Sequence, residues 1–388
     1  MTAPLRPLRV ALVTPRFPPD LGGLEAYVGH VAQLLHGSDA HEVVVVTTGR
    51  SRRTVRERLG GVEVIRLGTW FTVSNTPVNP LWWWQLRRLL TELRVDVVNA
   101  HAPVPGLADL AALTSPVPVV LTYHAGSLVK GGHPVDPLLR AYERHVLPRV
   151  LARCAELVAV SPVSSAARTG RAHLVPPGVD TATFAPPAVP DSRSGDPRVL
   201  YVGRVERSSR WKGLPVLLEA MARLRDRVPG VRLDVAGDGD DVGPLQRLAA
   251  DLGVAELVDW HGAVPHAELP ALYRRAGVTV LPSLTESESF GMTLVEAMAC
   301  GCPVVGSDVG GIPFVVRDGR DGLLVPPGDP VALAGALAGV LRDPVRAAAL
   351  GAAGRHAATA RWDWVHQDAA TLGVLDLAAG RPVREVAA

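Results

Sequence analysis

Two carboxylates eight residues apart, Glu288 and Glu296, bracket a stretch that could hold an anionic, hydroxyl-rich ligand. A carboxylate accepts two hydroxyl hydrogen bonds, which is what a ribose or hexose diol offers. Between them, Ser289-Phe290-Gly291-Met292 falls where a helix should begin, so free N–H groups and the helix dipole favour an anion. Gly291 lets a ligand approach the backbone closely. An anion at the helix mouth, with hydroxyls beside each Glu, suits a sugar–diphosphate–nucleoside. The plain alternative is a solvated acidic loop and a helix-surface Glu. Phe290-Gly291 at the loop end and Gly301-Cys302-Pro303 at the helix end weigh against it.

The elements around this stretch follow from its flanks. Val278 to Leu281 is a strand-sized apolar run, and Met292 to Cys300 is rich in helix formers. Gly301 and Pro303 stop that helix, and Val304-Val305 begins the next strand. Strand, loop, helix, strand is a parallel-sheet unit, whose ligands gather at the carboxyl ends of strands.

The run P-S-L-T-E-S-E-S-F-G-M-T-L-V-E-A-M-A-C-G-C-P-V-V-G, Pro282 to Gly306, resembles the retaining nucleotide-sugar glycosyltransferases of family 4. The resemblance implies an α/β, GT-B fold with two Rossmann-like doubly wound domains facing a central cleft. It also implies that Glu296 holds the nucleotide ribose. Glu288 and the backbone of Phe290, Gly291, Met292, Thr293 and Leu294 would hold the transferred sugar and the diphosphate. Arg204 and Lys212, in Gly203-Arg204 and Trp211-Lys212-Gly213, look like the family's cation pair on that diphosphate. The leaving nucleoside diphosphate gains charge as the glycosidic bond breaks, so cations are required there. The loop Glu206 to Arg210 is slightly longer than usual, which leaves its path open.

At 388 residues the chain is long enough for two or three domains, and 47% apolar content argues for a folded protein. No stretch reaches the roughly 18 continuous apolar residues of a membrane helix. Met1-Thr-Ala-Pro-Leu-Arg6 carries no hydrophobic signal, so the expected location is cytoplasmic, with peripheral attachment to the inner membrane face as an option. Cys154, Cys300 and Cys302 are too few and badly spaced for a disulfide framework or a zinc site. Residues 1–180 hold 19 Lys plus Arg against 13 Asp plus Glu, and the remainder 21 against 25. That mild asymmetry suits an anionic acceptor or a membrane surface, and no aromatic-basic repeat supports nucleic acid.

In chain order, Leu8 to Val13 is a strand, and Thr14 to Gly23 a loop leading to a helix over Leu24 to Leu35. Gly22-Gly23 is not part of G-x-G-x-x-G, so a dinucleotide fingerprint is absent. In the family this pair packs on the donor diphosphate, and the acid at Glu25 lies near the acceptor; a dipole-favoured first-turn acid is the alternative. Arg50 to Arg58 reads as a solvated loop. On a helix, Trp82, Leu86, Leu89, Leu90 and Leu93 share one core face. Trp83 and Trp84 cannot join them and sit one turn before Arg87 and Arg88. Either they contact a membrane surface or acceptor, or a neighbouring loop buries them.

The strands Val95–Asn99 and Val117–Thr122 place His101 and His124 at the sheet's functional edge. His124 matches the family's active-site His, which touches the donor sugar. For His101, an acceptor-side role and a plain loop role stand equal. Gly237-Asp-Gly-Asp240 misses the dinucleotide spacing, since Val242 stands at the third glycine position. Its Asp pair imitates a metal site, although the family needs no bound metal for catalysis. In relatives the loop His261 to Pro265 contacts the base through backbone near Val264.

The expected domains are 1–184 for the acceptor, a linker at 185–197, and 198–361 for the donor. A helix over 362–380 crosses back to the first. The expected activity is metal-independent, hexosyl-type transfer with retention, from a UDP-sugar in preference to a GDP-sugar. The acceptor would be a hydroxyl of a glycan, lipid-linked precursor or natural product, with no cofactor. A nucleotide-sugar epimerase and a non-catalytic binding subunit are the alternatives.

Overall fold

The computed structural model describes residues 6–20, 22–73, 76–129, 134–187 and 197–382. They form two compact units. One draws on Met1–Val129, Pro134–Pro177 and Val365–Ala388, the other on Gly178–Trp364.

The first unit contains β1 (Leu8–Val13), β2 (His41–Thr48), β3 (Val55–Leu59), β4 (Val62–Leu67), β5 (Phe71–Val73), β6 (Thr76–Val78), β7 (Val97–Ala102), β8 (Val119–Tyr123), β9 (Glu156–Ala159) and β10 (His173–Leu174). Its main sheet runs β10-β9-β8-β7-β1-β2-β4-β3 and is parallel except for β3. Val-rich runs such as Val43 to Val46 supply strands covered by helices on both faces, as parallel sheets require. The chain adds strands outward from β1 in one direction and from β7 in the other. The switch point therefore lies between β1 and β7, where open α/β sheets bind ligands.

The second unit repeats the scheme with β11 (Arg198–Val202), β12 (Arg232–Ala236), β13 (Val258–Gly262), β14 (Val278–Leu281), β15 (Val304–Ser307) and β16 (Leu323–Val325). The order is β13-β12-β11-β14-β15-β16, all parallel, with the switch between β11 and β14. Helices Leu214–Leu224 and Pro330–Leu341 pack Leu217, Leu218, Met221, Leu333 and Leu337 into a core with β11 and β14.

Two expectations need adjusting. Part of Arg50–Arg58 is a strand, not a loop: β3 pairs antiparallel with β4 across Gly60-Gly61, all five residues exposed. Charged Arg and Glu side chains on such an edge deter pairing with another chain. Strand β7 runs through His101 to Ala102, further than expected. In the described residues the chain leaves the first unit at Pro177, before the Pro-rich 185–197 segment, whose residues 188–196 lie outside the description. Helix Trp364–Ala378 follows a short parallel bridge between Val179 and Asp363, and its residues from Val365 count with the first unit.

Candidate functional site

The loops leaving β11 and β14 flank the switch point of the second sheet and carry most of the residues expected to hold the donor. Arg204 follows β11, is exposed, and makes no hydrogen bond or ion pair among the described residues. The longer connection after it is a 3-10 helix, Arg207–Lys212. Two acids of the Gly-Asp-Gly-Asp turn and its successor fix it in place. Asp240 accepts from the backbone N–H of Arg207 (2.8 Å), and buried Asp241 takes both Arg210 nitrogens at 2.6 and 2.7 Å. That turn is therefore a brace for the 206–212 loop. Among the described residues no group of three or more His, Cys, Asp or Glu is placed to hold a metal ion.

Gly213 ends the brace with φ 78°, and a Cβ there would overlap the carbonyl of Pro282. Only glycine allows this contact, which ties the Lys212 turn to the start of the acidic loop. Lys212 lies with its ammonium 4.7 Å from the centre of the Trp211 ring and 2.9 Å from Glu288 Oε2. Ser283 donates weakly to the same oxygen at 3.5 Å. Glu288 is 9% exposed, and its carbonyl accepts from Gly311 N–H at 2.8 Å, which fixes the loop from below.

Helix Met292–Ala299 begins at Gly291 (φ 97°), and no side chain caps its open N–H groups. Phe290 and Leu294 are buried, Met292 and Thr293 partly exposed. The Thr293 hydroxyl is buried at this mouth without a partner among the described residues. An uncapped helix start leaves its first N–H groups free to take an anion as partner. One helix face further on, Glu296 (6% exposed) has both oxygens engaged: Tyr273 OH donates to Oε2 at 2.7 Å, and His266 Nε2 stands 2.9 Å from Oε1. Sequence reasoning missed Tyr273 and His266, and only the position of His266, just after the His261–Pro265 loop, hinted at it. Val264 lies in that loop, partly exposed.

The first sheet's switch point is built differently. Glu25, in the first turn of helix Gly23–His36, is 5% exposed and reaches under Gly22, where any Cβ would strike its carboxylate. Gly23 is exposed. Tyr27, two residues on, sets its ring edge-on to His124 (4.9 Å) and His101 (5.7 Å). The two histidines meet at 3.2 Å, Nδ1 of His101 to Nε2 of His124. Burial keeps the group neutral. It presses His124 down to about 3 although part of its ring is open, takes His101 well below the usual imidazole value, and raises Tyr27 to about 12. His101 has no exposed surface, and its Nε2 has no hydrogen-bond partner among the described residues.

Trp83 and Trp84 are 54% and 49% exposed on helix Trp82–Glu92, so a loop does not bury them. Trp82, Leu86, Leu89, Leu90 and Leu93 face the core as the periodicity requires. Arg87 and Arg88 are exposed, and Arg88 stacks 5.4 Å from the Trp84 ring. Trp70 and Phe71, from the strand pair just before this helix, add further exposed aromatic surface. No helix among the described residues is long and apolar enough to cross a membrane.

Two doubly wound sheets, with an uncapped helix start between Glu288 and Glu296 at the second switch point, define a GT-B protein that handles nucleotide sugars. The family descriptions agree: "Glycosyltransferase Family 4" matches residues 21–183 and "Glycosyl transferases group 1" residues 186–357. The chain belongs to glycosyltransferase family 4, and it is a hexosyltransferase-type enzyme that transfers sugar from a nucleotide sugar. It is 34% identical over 381 residues to a GDP-mannose-dependent alpha-(1-6)-phosphatidylinositol monomannoside mannosyltransferase of Mycolicibacterium smegmatis, covering 91% of this chain and 94% of the relative. It is 35% identical to a D-inositol 3-phosphate glycosyltransferase of Thermobifida fusca (89% and 86% covered). Sucrose-phosphate synthase from Thermosynechococcus elongatus superposes with TM-score 0.78 at 25% identity, over 95% and 98% of the two chains. The epimerase alternative finds no support.

Proposed function

We propose that this chain transfers mannose from GDP-mannose, with retention, to a hydroxyl of an inositol-bearing lipid headgroup at the membrane surface. The expectation of UDP is thereby replaced by GDP, because the mannosyltransferases it resembles are GDP-mannose-dependent by name. The observation that carries the donor half is the Lys212–Glu288 pair (2.9 Å) beside the uncapped helix mouth. Lys212 and Arg204 receive the diphosphate with the N–H groups of Gly291, Met292 and Thr293. Glu288 orients sugar hydroxyls, Glu296 takes the ribose, and the base lies along Val264. In the first unit, Gly22, Gly23 and His124 keep the donor-side roles that the family resemblance implies, and Glu25 the acceptor-side role.

In the transfer step the C1–O bond to the diphosphate breaks and a C1–O bond to the acceptor forms on the same face. The acceptor proton passes to the departing diphosphate. No cofactor or metal enters this scheme. The acceptor half is supported by the lipid acceptor in the relative's name and by the exposed Trp83 and Trp84 beside Arg87 and Arg88. Aromatic rings settle at the interface while cations meet anionic headgroups, which supports peripheral attachment through this helix.

Turnover of GDP-mannose and UDP-glucose, each with phosphatidylinositol vesicles, tests the reading. Product from GDP-mannose alone is expected; exclusive use of UDP-glucose would overturn the donor assignment. Co-sedimentation with anionic vesicles should fall at least several-fold in Trp83→Ala/Trp84→Ala, while folding stability changes by less than about 0.5 kcal/mol. Equal pelleting of variant and parent would remove the membrane role from this helix.

A further inference from the structure

Of the two acids at the donor site, only Glu296 has both oxygens taken by the protein itself. Its two partners differ in how readily they could leave. Tyr273 is completely buried in helix Leu269–Arg275, and withdrawing its hydroxyl from Oε2 would strand a polar group in the core. His266 opens the one-turn helix His266–Glu268, and half of its side chain (51%) faces solvent. It rests against the Phe184 ring at 5.0 Å and could turn into water at little cost. A ribose diol approaching Glu296 meets one oxygen held by a core hydroxyl and the other, Oε1, already shared with His266.

We propose that His266 is a built-in competitor for the ribose site, closing Oε1 of Glu296 in the free protein and yielding it to the nucleoside hydroxyls when the donor binds. This rests on the reading of Glu296 as the ribose carboxylate. The exchange explains how a carboxylate 6% exposed stays satisfied when no nucleotide is present. It also sets donor affinity, because the nucleotide must win Oε1 from an existing partner.

The contact leaves a proton signature. The hydrogen bond to Glu296, with the attraction of its charge, raises the His266 pKa above the ordinary 6.5, while partial burial works against it. Glu296 is the one charged group that shifts it; the Tyr273 hydroxyl and Phe184 ring packed nearby are neutral. Donor binding that breaks the contact returns His266 towards its ordinary value and releases a proton. Release occurs between about 6.5 and the raised value, where the free protein holds that proton and the complex does not. Donor affinity accordingly rises with pH across that window, by linkage.

Calorimetric titration of the full chain with GDP-mannose, in two buffers of different ionisation enthalpy near pH 7, reads both effects. His266→Ala is expected to bind about threefold to tenfold more tightly, and the proton release of the parent protein should vanish. His266→Gln keeps a donor to Oε1 but cannot ionise, so it should lose the proton release without the full gain in affinity. Weaker or unchanged binding in His266→Ala, or undiminished proton release in both variants, overturns the proposal. Glu296→Gln separates the two levels. If it weakens binding while His266→Ala gains nothing, the competition alone fails. If it leaves GDP-mannose affinity unchanged, the ribose assignment fails and the competition falls with it.

Discussion

The two switch points use opposite electrostatics on the same backbone plan. In the second unit charges are kept, and all but Arg204 of those named are matched: Lys212 with Glu288, Arg210 with Asp241, His266 with Glu296. In the first, burial holds Tyr27, His101 and His124 neutral as one contiguous aromatic group. A transferase needs both conditions. A departing diphosphate calls for cations already aimed at the place where charge accumulates. A sugar carbon that must meet an alcohol is better served by uncharged hydrogen-bonding groups that do not bind the phosphate themselves. Parallel-sheet topology supplies the two loop clusters, and the local side chains decide which task each takes.

The comparison breaks most visibly at Lys212. Lys212→Met should lower kcat/KM for GDP-mannose by about 10²–10³, corresponding to roughly 2–4 kcal/mol of lost transition-state stabilisation. A loss under tenfold in steady-state assays would show that the paired charges are not the main electrostatic device. On the neutral side, His124→Ala should cost less, about tenfold in kcat, since one uncharged hydrogen bond is worth about 1–1.5 kcal/mol. If the two variants lose activity equally, the division into charged and neutral halves has no kinetic content.

A further effect concerns acid stability. His124 titrates at about 3 when folded and about 6.5 when unfolded, so the unfolded chain takes up the proton first. Its contribution is fully present above pH 6.5 and is lost as pH falls from there towards 3, at no more than about 1.4 kcal/mol per pH unit. Urea unfolding at pH 7 and pH 5 should show a larger drop for the parent protein than for His124→Gln. Parallel declines would mean that the imidazole is not held neutral by its surroundings.

Much of the site could be read before any coordinates, for reasons that differ by residue. Glu288 and Glu296 stand in a strand-loop-helix whose limits, Leu281, Gly291 and Gly301, are set by local chemistry. The Trp82–Glu92 helix revealed its buried face through period alone, while the exposure of Trp83 and Trp84 was decided only by the structure. Tyr273 and His266 were invisible because they reach Glu296 from 23 and 30 residues away, and nothing in their own segments announces the contact. His101 was placed at the sheet edge, but its enclosure depends on Tyr27 arriving from another helix.

The sequence by itself determined the strand-loop-helix-strand unit and its open helix mouth, while the two sheets and the donor residues were implied by the family resemblance of that stretch. The unit follows from spacing, apolar period and backbone-breaking residues, all short-range. Only the tertiary structure decided which charges are paired and which imidazoles stay neutral. Pairing and desolvation depend on groups that chain folding brings within a few ångströms from distant positions.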